Sequence, residues 1–362
     1  GLTRRQFQLE MEQGFASLPP GCHIQFDRLA RERVLDALRA VANQSWRRLT
    51  GELAAFAQGR PRNALRLTDF LTEQCLESTD LYSSTRSSSG WTALKRAAGL
   101  EAREAGPDEP YLGKRLSALL DVNDGERVAL LQRIAMRDPL LRGSTDLRTL
   151  RQLQMLAYQL YGQRSDLMDG DGFQARLDAS PLMREELGEL ADWIDLRADL
   201  ELEPLPGVPQ DWPLLLHGTY SRTEILSATG FWSPQARPPM FEGLLNFKPL
   251  KLQLLFVTLD KKEGFHERIA YHDYAISPEL FHWQSQNNAG PDTASGRIYT
   301  QSATNGWRFQ LFVRETPDHP FVALGPVTLD GEPTGAKPMS MVWRLERPVP
   351  MAMFRRFSVL RG

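Results

Sequence analysis

Between Tyr271 and Gln286 the chain reads YHDYAISPELFHWQSQ, gathering histidines, glutamines and flat aromatic rings around one Ser277-Pro278 turn. Hydrogen-bonding side chains beside rings are what a pocket needs to read the edge of a planar polar ligand such as a nucleobase. If the end of this segment is extended, alternate side chains share a face, which sets His282, Gln284 and Gln286 together. The expected pocket is Tyr274, His282, Trp283, Gln284 and Gln286, joined by His217 and Tyr220 from an earlier segment. The competing reading is a buried polar turn whose groups satisfy one another.

Phosphate chemistry has its own candidates. Leu216 to Ile225 (LHGTYSRTEI) joins an apolar strand to a helix that Thr219 or Ser221 can cap, and Arg222 at its start makes a natural anion site. Plain capping with Arg222 in a salt bridge is the alternative. Gly296-Arg297-Ile298-Tyr299 and Asn305-Gly306-Trp307-Arg308 bracket an expected hairpin, because Asn-Gly is a strong turn signal. Arg297, Arg308 and Arg314 then decorate neighbouring strands among Tyr299 and Trp307, as suits a nucleic-acid surface; solvated strand charge is the competing view. Arg344, Arg347, Arg355, Arg356 and Arg361 could extend that edge. Residues 67–100 end in Trp91-x-x-Leu94-x-x-x-Ala98-Gly99-Leu100, which looks like a small helix-turn-helix unit, with Arg86, Lys95 and Arg96 available to phosphates. An ordinary bundle with Trp91 in its core is the other reading.

Catalytic signatures are missing. Gly331 to Lys337 (GEPTGAK) lacks the spacing and the hydroxyl residue of a phosphate-cradling loop, and neither a GxSxG elbow nor an HExxH pair occurs. Asp169-Gly170-Asp171-Gly172 hints at a calcium loop, but Phe173 and Ser180 stand where ligands are required. With only Cys22 and Cys75, and histidines at 23, 217, 266, 272, 282 and 319, no metal pattern forms and no cofactor is expected. A hydrolase using His217 or His282 with Asp273 lacks an evident nucleophile.

These side chains need elements to hold them. At 362 residues, with 41% hydrophobic and 24% charged content, the chain is long enough for two or three globular domains. From Pro206 onward 16 Lys and Arg stand against 14 Asp and Glu, so nucleic-acid contact would come from a local patch rather than global charge. Apolar spacing of three and four predicts helices from Asp27 to Phe56, Thr68 to Leu76, Trp91 to Ala98, Leu112 to Leu120, Gly125 to Met136, Leu147 to Leu160 and Arg184 to Leu196. The stretch ELEPLPGVPQDW (201–212) breaks helices and marks a boundary. Beyond it, strands are expected at 252–259, 309–313, 321–324 and 341–345, with one helix at Arg222 to Ala228. The predicted class is α+β: an all-helical part at 1–203 and a mainly antiparallel β domain at 204–362. No apolar run approaches a membrane span, so a soluble cytoplasmic protein is expected. A chain opening on Gly1-Leu2 is expected to be a piece of a longer polypeptide.

One ordered set of residues carries a resemblance. His217-x-x-Tyr220-Ser221-Arg222-x-Glu224-Ile225-Leu226, LFVTL at 255–259, Tyr271-x-Asp273-Tyr274-Ala275-Ile276-Ser277-Pro278, FHWQSQ at 281–286, LFVRE at 311–315, LGPV at 324–327 and Trp343-Arg344-Leu345 follow one another. Together they resemble the uncharacterised domain at the C-terminal end of certain bacterial superfamily 2 helicases. LPPGC at 18–22 and Asp27-x-x-Ala30-x-Glu32-Arg33-Val34-Leu35 are similar to the segment between the motor and that domain. Such proteins carry a phospholipase D-like nuclease and a helicase motor upstream and are associated with DNA defence or restriction. This chain holds neither unit, so the resemblance brings no catalytic residue. It implies a C-terminal accessory and recognition region of a DNA-translocating enzyme, with upstream helicase and nuclease domains as partners; the pocket and arginine candidates add the expectation of a non-catalytic region that recognises DNA, single- or double-stranded, through a modified or flipped base or an altered backbone. A PUA-like distorted barrel is a fold-level analogy for the β domain. The alternative is a protein-interaction or oligomerisation module that does not touch DNA.

Overall fold

The computed structural model describes residues 46–86, 88–162, 169–197, 201–240, 242–259, 273–286 and 289–358. The segments 18–22 and 27–45, with His266, Tyr271, His272 and Arg361, lie outside the described residues. In chain order the helices are α1 Trp46–Phe56, α2 Leu67–Glu73, α3 Ser78–Leu81, α4 Trp91–Ala97, α5 Glu109–Arg115, α6 Gly125–Ala135, α7 Leu147–Tyr161, α8 Gly170–Asp178, α9 Pro181–Asp195, α10 Arg222–Ala228, α11 Ala294–Thr300, α12 Ser302–Asn305 and α13 Met351–Phe357. The strands are β1 Thr219–Tyr220, β2 Leu244–Phe247, β3 Leu252–Thr258, β4 Tyr274–Ala275, β5 Leu280–Gln284, β6 Arg308–Arg314, β7 Phe321–Leu329 and β8 Ser340–Leu345. The class is α+β, a helical N-terminal half and a mixed eight-stranded sheet. The chain divides into two compact units: Gly1–Leu120 with Ile134–Met136 and Leu177–Leu196, and Asp121–Arg133 with Arg137–Arg176 and Arg197–Gly362. No helix among the described residues is long and apolar enough to cross a membrane.

In the helical unit, α1 buries Leu49, Leu53 and Phe56, one face of a 3.6-residue period. Phe56 meets Phe70 edge-on at 5.4 Å, and Phe70 meets Trp91 at 5.5 Å, so Trp91 is a core residue with no exposed surface. Helix α2 begins at Leu67, one residue before the expected start at Thr68. No side chain of its own closes it, because the Glu189 carboxylate accepts from the Leu67 N–H at 2.9 Å. In the same way Glu186 accepts from the first two N–H groups of α4, Trp91 at 2.6 Å and Thr92 at 3.0 Å. Local capping residues are replaced here by carboxylates of α9, a substitution no local sequence pattern announces. Helix α8 occupies the rejected calcium-loop segment, where Asp169 accepts from the Gly172 N–H at 2.6 Å.

In the sheet unit the strand path is β2-β3-β6-β7-β8-β5-β4, with β1 paired to β7. Every pairing is antiparallel except β3 with β6. The central strands are covered on both sides. Leu255 and Val257 of β3 join a core with Trp283, Tyr299 and Trp343, while Leu254 and Phe256 join one with Tyr220, Ile225 and Met155. Burial on both faces explains why Leu254–Val257 of this strand reads as an apolar run rather than an alternation. Strand β5 alternates instead, burying Phe281 and Trp283 and leaving Leu280, His282 and Gln284 half-exposed.

The expected hairpin at 296–308 is overturned. Thr293 caps α11 by accepting from the Gly296 N–H, and the chain stays helical through α12 to Asn305. Gly306, at φ +75°, ends that helix rather than forming a two-residue turn. Asn-Gly supplies the left-handed residue that both structures need, so the dipeptide alone does not choose between them. Arg297 consequently lies on a helix, and only Arg308 and Arg314 share a strand.

Candidate functional site

Strand pairing assembles a small polar ledge at one edge of the sheet. Residue 274 lies opposite 282 in the β4–β5 register, and the Tyr274 and His282 rings stack with centroids 5.1 Å apart and planes 22° apart. On the other side β8 sets Val342 opposite His282 and Ser340 opposite Gln284. The Gln284 side-chain amide donates to Ser340 Oγ at 3.2 Å, and its backbone N–H donates to the buried Asp273 carboxylate at 2.9 Å. Gln286 continues the same parity and is half-exposed. Tyr274, His282 and Gln284 are thus brought together. Trp283 is not with them: in place of the pocket wall expected for it, it is 5% exposed in the core and packs edge-on against Tyr299 at 5.5 Å. Consecutive residues of a strand point to opposite faces, so His282 and Trp283 cannot line one pocket.

His217 and Tyr220 serve another purpose. Tyr220 is 1% exposed; its hydroxyl accepts from the Leu215 N–H at 2.9 Å, and the Arg127 guanidinium lies 4.4 Å over its ring. Arg127 is buried between the Asp124 and Glu224 carboxylates and also donates to the Thr219 carbonyl at 2.6 Å. Glu224 completes a capping box with Ser221 at the start of α10. His217 takes a left-handed φ of +63°, its ring Nε2 is buried without a hydrogen-bond partner, and burial lowers its pKa, which favours the neutral ring. Between the two, Gly218 has no room for a side chain: a Cβ there would lie 2.4 Å from the Tyr220 hydroxyl oxygen. With Tyr220 held by Arg127 and Leu215, Gly218→Ala is expected to cost about 1–3 kcal/mol through overpacking, read as a lowered denaturation midpoint.

The arginines divide by their partners. Arg222 and Arg314 meet around Phe321, 5.7 and 4.4 Å from its ring centroid, with Arg222 also 5.1 Å from Phe256. Their hydrogen bonds run to neutral acceptors: Arg222 to the Glu242 carbonyl at 2.8 Å, Arg314 to Thr258 Oγ1 at 2.9 Å and the Pro317 carbonyl at 2.8 Å. Burial lowers the Arg222 pKa, while burial and then the Arg222 charge lower that of Arg314, with Asp318 acting in the opposite direction. Two cations held this way around one ring make an electropositive spot suited to an anion. Arg308 and Arg297 are exposed and bond backbone carbonyls, at Gly207 and Asp292 respectively. Arg96 is committed to Glu109, donating from Nη2 to one carboxylate oxygen at 2.9 Å and from Nε to the other at 3.2 Å, and the Lys95 ammonium lies 5.6 Å from the Trp91 ring. In the tail, Arg344 pairs with Asp330 and Arg356 with Glu315.

Residues 222–240 enclose an open cavity of 790 Å³ whose lining includes Arg222, Leu226, Trp232, Arg237 and Met240. Its only advance signal is an aromatic pair and an arginine set within the proline-rich run FWSPQARPP. Among the described residues no group of three or more histidine, cysteine or carboxylate side chains could hold a metal ion.

Residues 214–357, the stretch that holds β1 to α13, match a family model, Domain of unknown function (DUF3427). No curated protein matches the chain.

Proposed function

We propose that the sheet unit is a non-catalytic nucleic-acid recognition module, in which the Tyr274–His282 ledge takes a base and Arg222 and Arg314 meet phosphate. The observation that carries the reading is the stacked ring pair on a half-exposed sheet face with Gln284 beside it. Aromatic rings on a strand surface suit stacking by an unpaired or flipped base, and a neighbouring amide can donate to and accept from a base edge. Trp283 enters this reading as the floor that fixes β5. The ordered residue matches from His217 to Leu345 support a wider setting: an accessory region of a DNA-translocating enzyme, with helicase and nuclease domains upstream as partners. A second reading, docking to another protein, is favoured by the exposed side chains of Leu140 and Leu147, at 76% and 57%.

Fluorescence anisotropy against single-stranded and duplex DNA, unmodified, base-modified and phosphorothioate-bearing, tests the proposal across a salt series. Tyr274→Ala/His282→Ala is expected to weaken the preferred probe by about tenfold, in line with the loss of one stacked base, at unchanged salt slope. Arg314→Ala should instead lower the salt slope by about one. Equal binding of every probe by the parent and the double variant sinks the base ledge. No binding at low salt leaves the protein-docking reading.

A further inference from the structure

We infer that the cavity at 222–240 is a binding site for a nucleoside 5′-monophosphate unit, separate from the Tyr274–His282 ledge. The lining offers two guanidiniums, Arg222 and Arg237, and no carboxylate. Arg237 stands 5.5 Å from the Tyr158 ring, and its Nη1 is buried with no hydrogen-bond partner. A buried N–H left unsatisfied is costly, and an anion entering the cavity supplies the missing acceptor. Among the described residues, Arg222 donates through Nη1 to the Glu242 carbonyl, a neutral acceptor.

The remaining walls select the body of the ligand. Trp232 lines the cavity with its indole fixed at both ends: its N–H donates to the Pro238 carbonyl at 3.0 Å, and its ring packs edge-on against Tyr158 at 5.6 Å. Leu226 and Met240 add apolar surface. A fixed indole face beside aliphatic side chains suits a flat heterocycle, and two guanidiniums suit a phosphate monoester, which carries close to two negative charges at neutral pH. A volume of 790 Å³ lies within the range of small-molecule sites and admits a mononucleotide. The unit could arrive as a free nucleotide or as the 5′-phosphorylated end of a strand.

Isothermal titration calorimetry on the full chain distinguishes these. The probes are adenosine 5′-monophosphate, guanosine 5′-monophosphate, adenosine, inorganic phosphate, and one short oligonucleotide with a 5′-phosphate or a 5′-hydroxyl. Both monophosphates are expected to bind at least about tenfold more tightly than adenosine or inorganic phosphate. Arg237→Gln and Trp232→Leu should each weaken them by about tenfold, whereas Tyr274→Ala/His282→Ala leaves them unchanged, so the failure of either site is read separately. Arg237→Lys, which keeps the charge and loses the fork, should fall between parent and Arg237→Gln. Tighter binding of the phosphorylated oligonucleotide than of the monophosphates assigns the site to strand ends; the reverse assigns it to free nucleotide. The inference is overturned if neither monophosphate binds at millimolar concentration, if inorganic phosphate matches them, or if Arg237→Gln is silent while circular dichroism reports a native fold.

Discussion

Arg127→Met is expected to lower the stability of the sheet unit by about 3–5 kcal/mol, the cost of leaving buried charges without their partner. Asp124 and Glu224 are 1% and 2% exposed, and Arg127 sits between them. Burial by itself would pull the arginine's pKa down, but the two carboxylates outweigh it and hold the group above its ordinary value, so it is charged throughout the accessible pH range. The same side chain donates to the Thr219 carbonyl and covers the Tyr220 ring. One residue of α6 therefore ties together β1 and the capping box that starts α10, the helix bearing Arg222. Urea denaturation of parent and variant measures the loss. Arg127→Lys should recover less than half of it, because an ammonium cannot reach three separated acceptors with a planar fork. A loss under about 1 kcal/mol for Arg127→Met would mean that water enters the network and that the charges are not desolvated as their burial indicates.

Glu186→Ala is expected to destabilise the helical unit by about 2–4 kcal/mol, since the N–H groups of Trp91 and Thr92 both lose their acceptor inside the core. Gly90 directs the chain into this contact at φ +101°, and a Cβ there would lie 2.5 Å from a Glu186 carboxylate oxygen, so only glycine admits the carboxylate this close. Burial raises the Glu186 pKa above 4.5, although the Thr92 and Trp91 hydrogen bonds oppose the shift. The sign follows by linkage. A carboxyl that is harder to ionise in the folded protein than in the unfolded chain contributes stability fully below the unfolded value, and that contribution is lost as pH rises through the folded value. Glu186→Gln, which cannot ionise, should remove this part of the pH slope. Denaturation midpoints taken at intervals above pH 4.5 compare the two chains; parallel curves would show that Glu186 does not titrate in that window.

Local pattern was enough for much of this molecule. Of the two caps the sequence offers for α10, Thr219 and Ser221, it is Ser221 that closes the helix, in a capping box with Glu224 that satisfies backbone N–H groups with side chains next to them in sequence. The alternation at His282, Trp283 and Gln284 is likewise a property of one extended strand, so the shared face of His282 and Gln284 was legible before any partner strand was known. The largely apolar runs at 252–259 and 309–313 marked β3 and β6 by a different local signal, the continuous apolar character of strands covered on both faces.

Which face of a strand looks into the core, and which distant residue stands across from it, depend on contacts between segments far apart in sequence. Trp283 looked like a pocket ring because its type suits stacking, yet the packing of Tyr299 and Trp343 against it makes its face the buried one. Arg222 and Arg314 meet at Phe321 only because β6 pairs with β7 and α10 follows β1 onto the same strand. The Asn305-Gly306 dipeptide permits a hairpin turn and a helix end alike, and Tyr299 entering the core between Trp283 and Phe309 accompanies the helical choice. Short-range geometry thus sets the period of each element from its own residues, while burial, a quantity shared among elements, decides what each period presents to solvent.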